Sequence, residues 1–284
     1  MKPRTLLLFP LALVALAALA GQARAQSCTA ISVVPYTIAQ PGTYCLAGNQ
    51  TTAMAGGAAI TILADNVVLD LGGYAIDNLA AGPSTGATAI SMTQNHFNVT
   101  VKNGVLRGFD IGVRLGQQFA RSCVVEGMRL DHCYRYPIWL YGYDSTVRGN
   151  FVSNTGGSTA FPNSSIAGIS CIGDGLRILS NDVTNTLPPG SGAAYGIAVN
   201  STVGAATEVL VEGNRISNVA NPMPQQTYGI ILQNTSTALV IGNRLVGATF
   251  GIYYSAGAVG KFRDNVTFNI AQPFLGGTNA GGNT

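Results

Sequence analysis

The sequence predicts an all-β fold, a single-stranded right-handed parallel β-helix of about eight coils, from three observations. Two short phrases recur along the chain, Val and Ile recur within them at period two, and the repeat length varies without falling below 22 residues. The first phrase reads Val147-Arg148-Gly149-Asn150, then Ile178-Leu179-Ser180-Asn181, Val211-Glu212-Gly213-Asn214, Val240-Ile241-Gly242-Asn243 and Phe262-Arg263-Asp264-Asn265. Degenerate copies place Gly72, Gly104 and Met128 at the same point, and the spacings from Gly72 are 32, 24, 22, 31, 33, 29 and 22 residues. The second phrase lies between these copies: Ile111-Gly112-Val113, Tyr136-Pro137-Ile138, Ala167-Gly168-Ile169, Tyr195-Gly196-Ile197, Tyr228-Gly229-Ile230 and Phe250-Gly251-Ile252. Two short strands and a bend per repeat, with elastic loops, account for a fixed minimum and a variable excess. Period two turns one face inward. A single coil cannot bury that face, so coils must stack, each strand pairing in parallel with the next about 4.8 Å away.

Taken in order, the chain opens with an export leader. Lys2 and Arg4 precede an apolar run over residues 6–20, and Ala23-Arg24-Ala25 is an A-x-A cleavage site, so residues 1–25 are read as a signal peptide and the location as secreted or periplasmic. Residues 26–60 are read as an N-terminal cap segment, 61–270 as the β-helix and 271–284 as a loose tail. Five cysteines in an oxidising compartment leave at least one without an internal partner. A Cys28–Cys45 disulfide would staple the cap, Cys123 and Cys133 could pair, and Cys171 is left over.

Stacking turns the repeat alignment into a contact map. Asn150, Asn181, Asn214, Asn243 and Asn265 form one column. Asn154, Asn185, Asn218 and Asn269 form another, with His132 and Gly108 in the same register. Asn and Gly tolerate the left-handed backbone of a sharp bend, and stacked amides hydrogen-bond along a column. Tyr136, Tyr195, Tyr228 and Phe250 form an aromatic column, with Tyr136 expected in the core. Cys171 aligns with Leu140, Val199 and Leu232 and is read as core. Asp70, Lys102, Glu126 and Arg148 alternate in sign as an exposed ion ladder.

With these columns in place, the chain resembles the pectin-lyase-like right-handed β-helix family, bacterial exported type, over residues 28 to about 270. The opening Pro41-Gly42-Thr43-Tyr44-Cys45-Leu46 and the stretch Ala64-Asp65-Asn66-Val67-Val68-Leu69-Asp70-Leu71-Gly72-Gly73-Tyr74 carry the same resemblance. It implies the solenoid fold. It does not choose an activity, because such proteins include polysaccharide lyases, glycoside hydrolases, mannuronan epimerases, phage tail proteins and proteins without catalysis. The D-P-H-E stretch of alginate epimerases and the paired-Asp and G-H-G signatures of polygalacturonases are missing. Leu130-Asp131-His132 is similar to the W-I-D-H segment of pectate lyases but lacks its Trp.

Charge is concentrated. Once Lys2, Arg4 and Arg24 leave with the leader, 12 basic residues face 12 acidic ones, which removes the basic excess of a nucleic-acid binder. Residues 102–148 hold 11 of those 24 charges. Long insertions fall at 79–88, 156–166, 186–194 and 219–227, whereas the coils near 108–112 and 132–137 are short. The first two insertions are therefore expected to be walls and the two short coils a floor. Register places Asp110 on Arg135, Arg107 on Asp131, Arg114 on Trp139 and Gly116 on Tyr141. Arginine beside an outward aromatic ring suits an acidic sugar, the guanidinium pairing the carboxylate and the ring packing on the pyranose.

The expected function is action on an acidic polysaccharide, with β-elimination as the first reading. Arg135, Asp131, Asp110 and Arg107 are the catalytic candidates, and Arg114, Trp139, Tyr141, Tyr143 and Asp144 the substrate-binding ones. A lyase needs a cation for the uronate carboxylate, Arg135 or Arg107, and a base, for which Tyr136, Tyr141, Tyr143 and His132 are candidates. A hydrolase needs two carboxylates, drawn from Asp110, Asp131 and Asp144. The alternative is a non-catalytic β-helix with a polysaccharide-binding or structural surface, in which these pairs are ladder contacts, His132 serves a bend, and Trp139 with Arg114 is a surface cation–π pair. His96 falls in a turn and carries no signal. No cofactor is expected; no C-x-x-C spacing supports zinc, and calcium is left open as a metal that no obvious acidic cluster supports. Neither nucleic acid nor membrane is expected as a partner, and a monomer is expected for want of a terminal barrel or coiled-coil segment.

Overall fold

The computed structural model describes residues 28–188, 190–201, 207–220, 226–235, 237–255 and 257–284; residues 1–25, read from the sequence as a leader, lie outside them. Strands stack in parallel, coil upon coil, into a β-helix. Its first face is an eleven-stranded sheet running from Thr29–Ile31 to Thr278–Asn279. The eight copies of the first phrase lie in this sheet or at its edge. Further strands, Thr29–Ile31, Gly42–Leu46 and Thr278–Asn279, extend the column at both ends.

Each coil holds three strands where the repeats suggested two. The segment between the two asparagine columns, read as a bend, is a strand of its own: Val105–Arg107, Arg129–Asp131, Phe151–Gly156 and Asp182–Leu187 stack as a second face. Only one residue of each three-residue strand points inward, such as Leu106 or Leu130, both fully buried. A single inward residue cannot display period two, which is why the pattern escaped the sequence. The third face carries the Gly-Ile phrase, in Ile111–Leu115, Tyr136–Tyr141, Ile166–Ile172, Ala194–Asn200 and Thr227–Leu232. Gly112, Gly196 and Gly251 are needed there because a Cβ would collide with the carbonyl oxygen of the next coil.

The apolar side chains of all three faces meet in one continuous core, and Cys171 lies in it, in register with Leu140 and Val199. The first asparagine column is buried with it. Asn181 donates through Nδ2 to Val147 O and to Asn214 Oδ1, both at 3.0 Å, while its own Oδ1 accepts from the N and Nδ2 of Asn150. The pattern repeats through Asn243 and Asn265 to Asn283, so each buried amide is satisfied. In this column the left-handed residue is the one before the asparagine (Gly149, Ser180, Gly213, Gly242, Asp264), whereas in the second column it is Asn154, Asn185, Asn218, Asn269 and His132 themselves.

At the N-terminal end, residues set apart as a cap continue the stacking: Thr29–Ile31 pairs with Gly42–Leu46 and Tyr36–Ile38 with Ala58–Ile62, and a Cys28–Cys45 disulfide ties the first coil. At the other end the expected loose tail instead completes the strand Val266–Leu275 and adds Thr278–Asn279, and Thr284 bonds Asn265 and Thr267. Cys123 and Cys133, considered as a pair, are both free and buried; burial pushes the Cys123 thiol up to about 11 and raises that of Cys133 further.

Candidate functional site

The pairings expected from register are present. Arg135 forks onto Asp110, its Nε donating to Oδ1 at 2.9 Å and its Nη2 to Oδ2. Arg107 pairs with Asp131 at 3.5 Å and reaches Asp77 at 3.8 Å. The Arg114 guanidinium lies 4.9 Å from the Trp139 ring centre. On the first face, Lys102 meets Asp70 and Arg148 meets Glu126, so the expected ion ladder forms as two pairs. The sequence places the candidate site residues along one groove; the Tyr136 ring links two of their groups, lying 5.6 Å from the Arg135 guanidinium and 5.2 Å from the Trp139 ring. The candidates fall into three groups, by the face or corner that holds each.

The first is the corner between the second and third faces, where Asp110 and Arg135 sit. The loops expected as walls meet above it: Thr159 N donates to Pro83 O at 2.9 Å, and the Phe161 ring lies 3.8 Å from the Arg135 guanidinium. Asp110 is 1% exposed in consequence. Tyr136, placed in the core by its column, is half-buried on the outer side. Its hydroxyl donates to Ser165 O at 3.0 Å, and its pKa is raised, by burial first, with Asp110 adding to the rise and Arg135 opposing it. A raised phenol is a poor base.

The second place is the outer side of the second face, with Arg107, Asp131 and His132. Asp131 accepts from Ser153 Oγ at 2.9 Å and Asn154 Nδ2 at 2.7 Å, and lies 2.9 Å from His132 Nδ1. Burial acts to raise this carboxyl, but the bonds from His132, Asn154 and Ser153 outweigh it and hold it below the usual range. Asn218 donates to Asn185 and Asn185 to Asn154, so an outward amide ladder ends on this carboxylate.

The third place is open. Arg114, Gly116, Gln117, Gln118, Trp139 and Tyr141 line a cleft of about 320 Å³ on the third face. Trp139 is half-buried and its ring lies 5.2 Å from that of Tyr136. At the neighbouring corner Arg121 stacks on Tyr143 at 5.1 Å, and Phe97, Arg121 and Tyr143 are bridged in successive coils. Asp144 is exposed beside them, with a left-handed backbone. Gln117, Gln118 and Arg121 were missed in the sequence because they sit in the turn after the strand, outside both phrases. The Arg121–Tyr143 register was the available signal.

His96, set aside as a turn residue, holds Asp65 through Nδ1 at 2.9 Å, and the backbone N of Phe97 donates to the same carboxylate. The Phe97 bond lowers the Asp65 pKa most; burial opposes it and His96 adds to the lowering. Among the described residues no group of three or more His, Cys, Asp or Glu could hold a metal ion, and no helix is long and apolar enough to cross a membrane.

No family model matches this chain, and no curated relative matches it in sequence. Among solved structures it is similar to PfbA, a surface adhesin of Streptococcus pneumoniae, at 13% identity and TM-score 0.53, over 90% of this chain and 77% of that one. It is also similar to XylC in complex with xylose (12% identity, TM-score 0.47, 76% of this chain and 38% of that one). A third is a tailspike protein of E. coli bacteriophage HK620 (13%, 0.42, 90% and 60%). The chain thus spans less than two thirds of XylC and of the tailspike. The likeness to PfbA is one of fold.

Proposed function

We propose that this chain is an extracellular carbohydrate-binding β-helix that holds an acidic polysaccharide in the cleft of Arg114, Trp139 and Tyr141. The observation that carries the reading is the Arg114–Trp139 pair, a cation lying over the chain's single tryptophan in an open cleft that also presents two amides, Gln117 and Gln118. The ring offers an apolar platform to a pyranose, the guanidinium a fork to a carboxylate, and the amides partners for hydroxyls. The Cys28–Cys45 disulfide supports an oxidising, extracellular setting.

The non-catalytic reading is favoured over β-elimination. Arg135, the leading cation for a lyase, is engaged by Asp110 under Phe161, and the phenol beside it is raised. Asp110 is buried under Arg135 and Asp131 is held by Ser153 and Asn154, which counts against these two as the carboxylate pair of a hydrolase. The test is affinity electrophoresis of the chain and of Trp139→Ala in gels holding pectate, alginate or hyaluronan, with absorbance followed for unsaturated uronates. Retardation by at least one polymer, lost in Trp139→Ala and without new absorbance, is expected. Absorbance that depends on Arg135 or Asp131 would restore the lyase reading, and no retardation in any gel would remove the binding one.

A further inference from the structure

We propose a second ligand site, on the first face toward the C-terminal end, for a small amphiphilic anion: an apolar chain ending in one carboxylate. Register puts Arg177, Leu210, Leu239, Lys261 and Thr278 in one outward column. Two leucines thus stand between two cations that are three coils, or about 14 Å, apart. With Val259 they line a groove of about 600 Å³, nearly twice the cleft at Trp139, and its lining is mostly apolar. Leu239 is 43% and Val259 59% exposed, an apolar patch rimmed by polar groups, which is the form of an interaction site.

The same face closer to the N-terminus shows what is unusual here. There the outward charges neutralise one another, Lys102 with Asp70 and Arg148 with Glu126. In the groove, Arg177 and Lys261 have no ion-pair partner among the described residues. Its one acid, Glu208, lies on the coil next to Arg177, and its backbone N is held by Thr237 Oγ1 at 2.7 Å. Glu208 offsets Arg177 and leaves Lys261, with the Thr278 hydroxyl one coil on, as the end that favours a carboxylate. The apolar chain then lies over Leu239 and Leu210 toward Arg177. A polysaccharide does not fit this lining, which offers no aromatic platform and few partners for hydroxyls.

Isothermal titration of the full chain with decanoate, and with decanol as its uncharged counterpart, tests the site. Saturable decanoate binding is expected, with decanol weaker by about tenfold. Lys261→Gln should abolish that preference, Leu239→Ser should weaken both ligands by about tenfold or more, and Trp139→Ala should change neither. Circular dichroism confirms the fold of each variant, and Lys261→Gln decides alone if Leu239→Ser is unfolded. The proposal is overturned if wild type shows no saturable binding or if Lys261→Gln keeps the preference for the acid. It is also overturned if sedimentation shows a dimer that Leu239→Ser dissociates, since a second copy would then occupy the groove.

Discussion

Two arginines on neighbouring coils, Arg114 and Arg135, obey the same stacking rule and meet opposite fates. Each finds its partner on an adjacent coil, Arg114 on Trp139 and Arg135 on Asp110. Arg114 remains at the mouth of an open cleft. Arg135 lies against Phe161 where the two long loops join through Thr159 and Pro83, with its side chain 20% exposed and its carboxylate partner buried. Stacking decides which side chains touch, but the loops at the corners decide which of them a ligand can reach. A charge pair in a parallel β-helix is therefore a site only if its corner stays open.

The sharpest way to break the comparison is to remove one partner from the sealed pair. Arg135→Ala leaves the Asp110 carboxylate buried and uncompensated and should cost about 3–5 kcal/mol in urea unfolding. A loss below about 1 kcal/mol would mean that water reaches the corner and that the two arginines are alike. Asn214→Ala comes next. It strips a buried acceptor from Asn181 N and Nδ2 and should cost about 2–3 kcal/mol, with no effect on polysaccharide binding. Glu126→Gln, on the open ion ladder, should cost about 0.5 kcal/mol or less and lose even that in high salt.

Acid titration sharpens the contrast at Asp131, whose folded pKa lies below the unfolded value of about 3.9. Its contribution to stability is complete above the unfolded value and fades as pH falls through the folded one. Asp131→Asn should flatten that part of the stability curve, measured by melting temperature against pH. An unchanged curve would mean that the bonds from Ser153 and Asn154 do not favour the ionised form.

Much of this was legible in the sequence because stacking is nearly one-dimensional. The asparagine column, the core place of Cys171, the ion ladder from Asp70 to Arg148, and the pairs at Arg107, Arg114 and Arg135 all follow from aligning repeats. What could not be read has particular physical causes. The second face hid because strands of three residues show one inward side chain each, as at Leu106. The sealing of Asp110 hid because the lengths of 79–88 and 156–166 do not reveal that Thr159 bonds Pro83. The Asp65–His96 contact hid because neither residue belongs to a recurring phrase.

Thermal melting of Asp110→Asn and Trp139→Ala, each with and without the polysaccharide that retards wild type, tests the division between sealed and open pairs directly. Asp110→Asn should melt well below wild type yet still be stabilised by the polymer, while Trp139→Ala should melt close to wild type and gain nothing from it. The reverse pattern, a stable Asp110→Asn that no longer responds to polymer beside a responsive Trp139→Ala, would contradict the account.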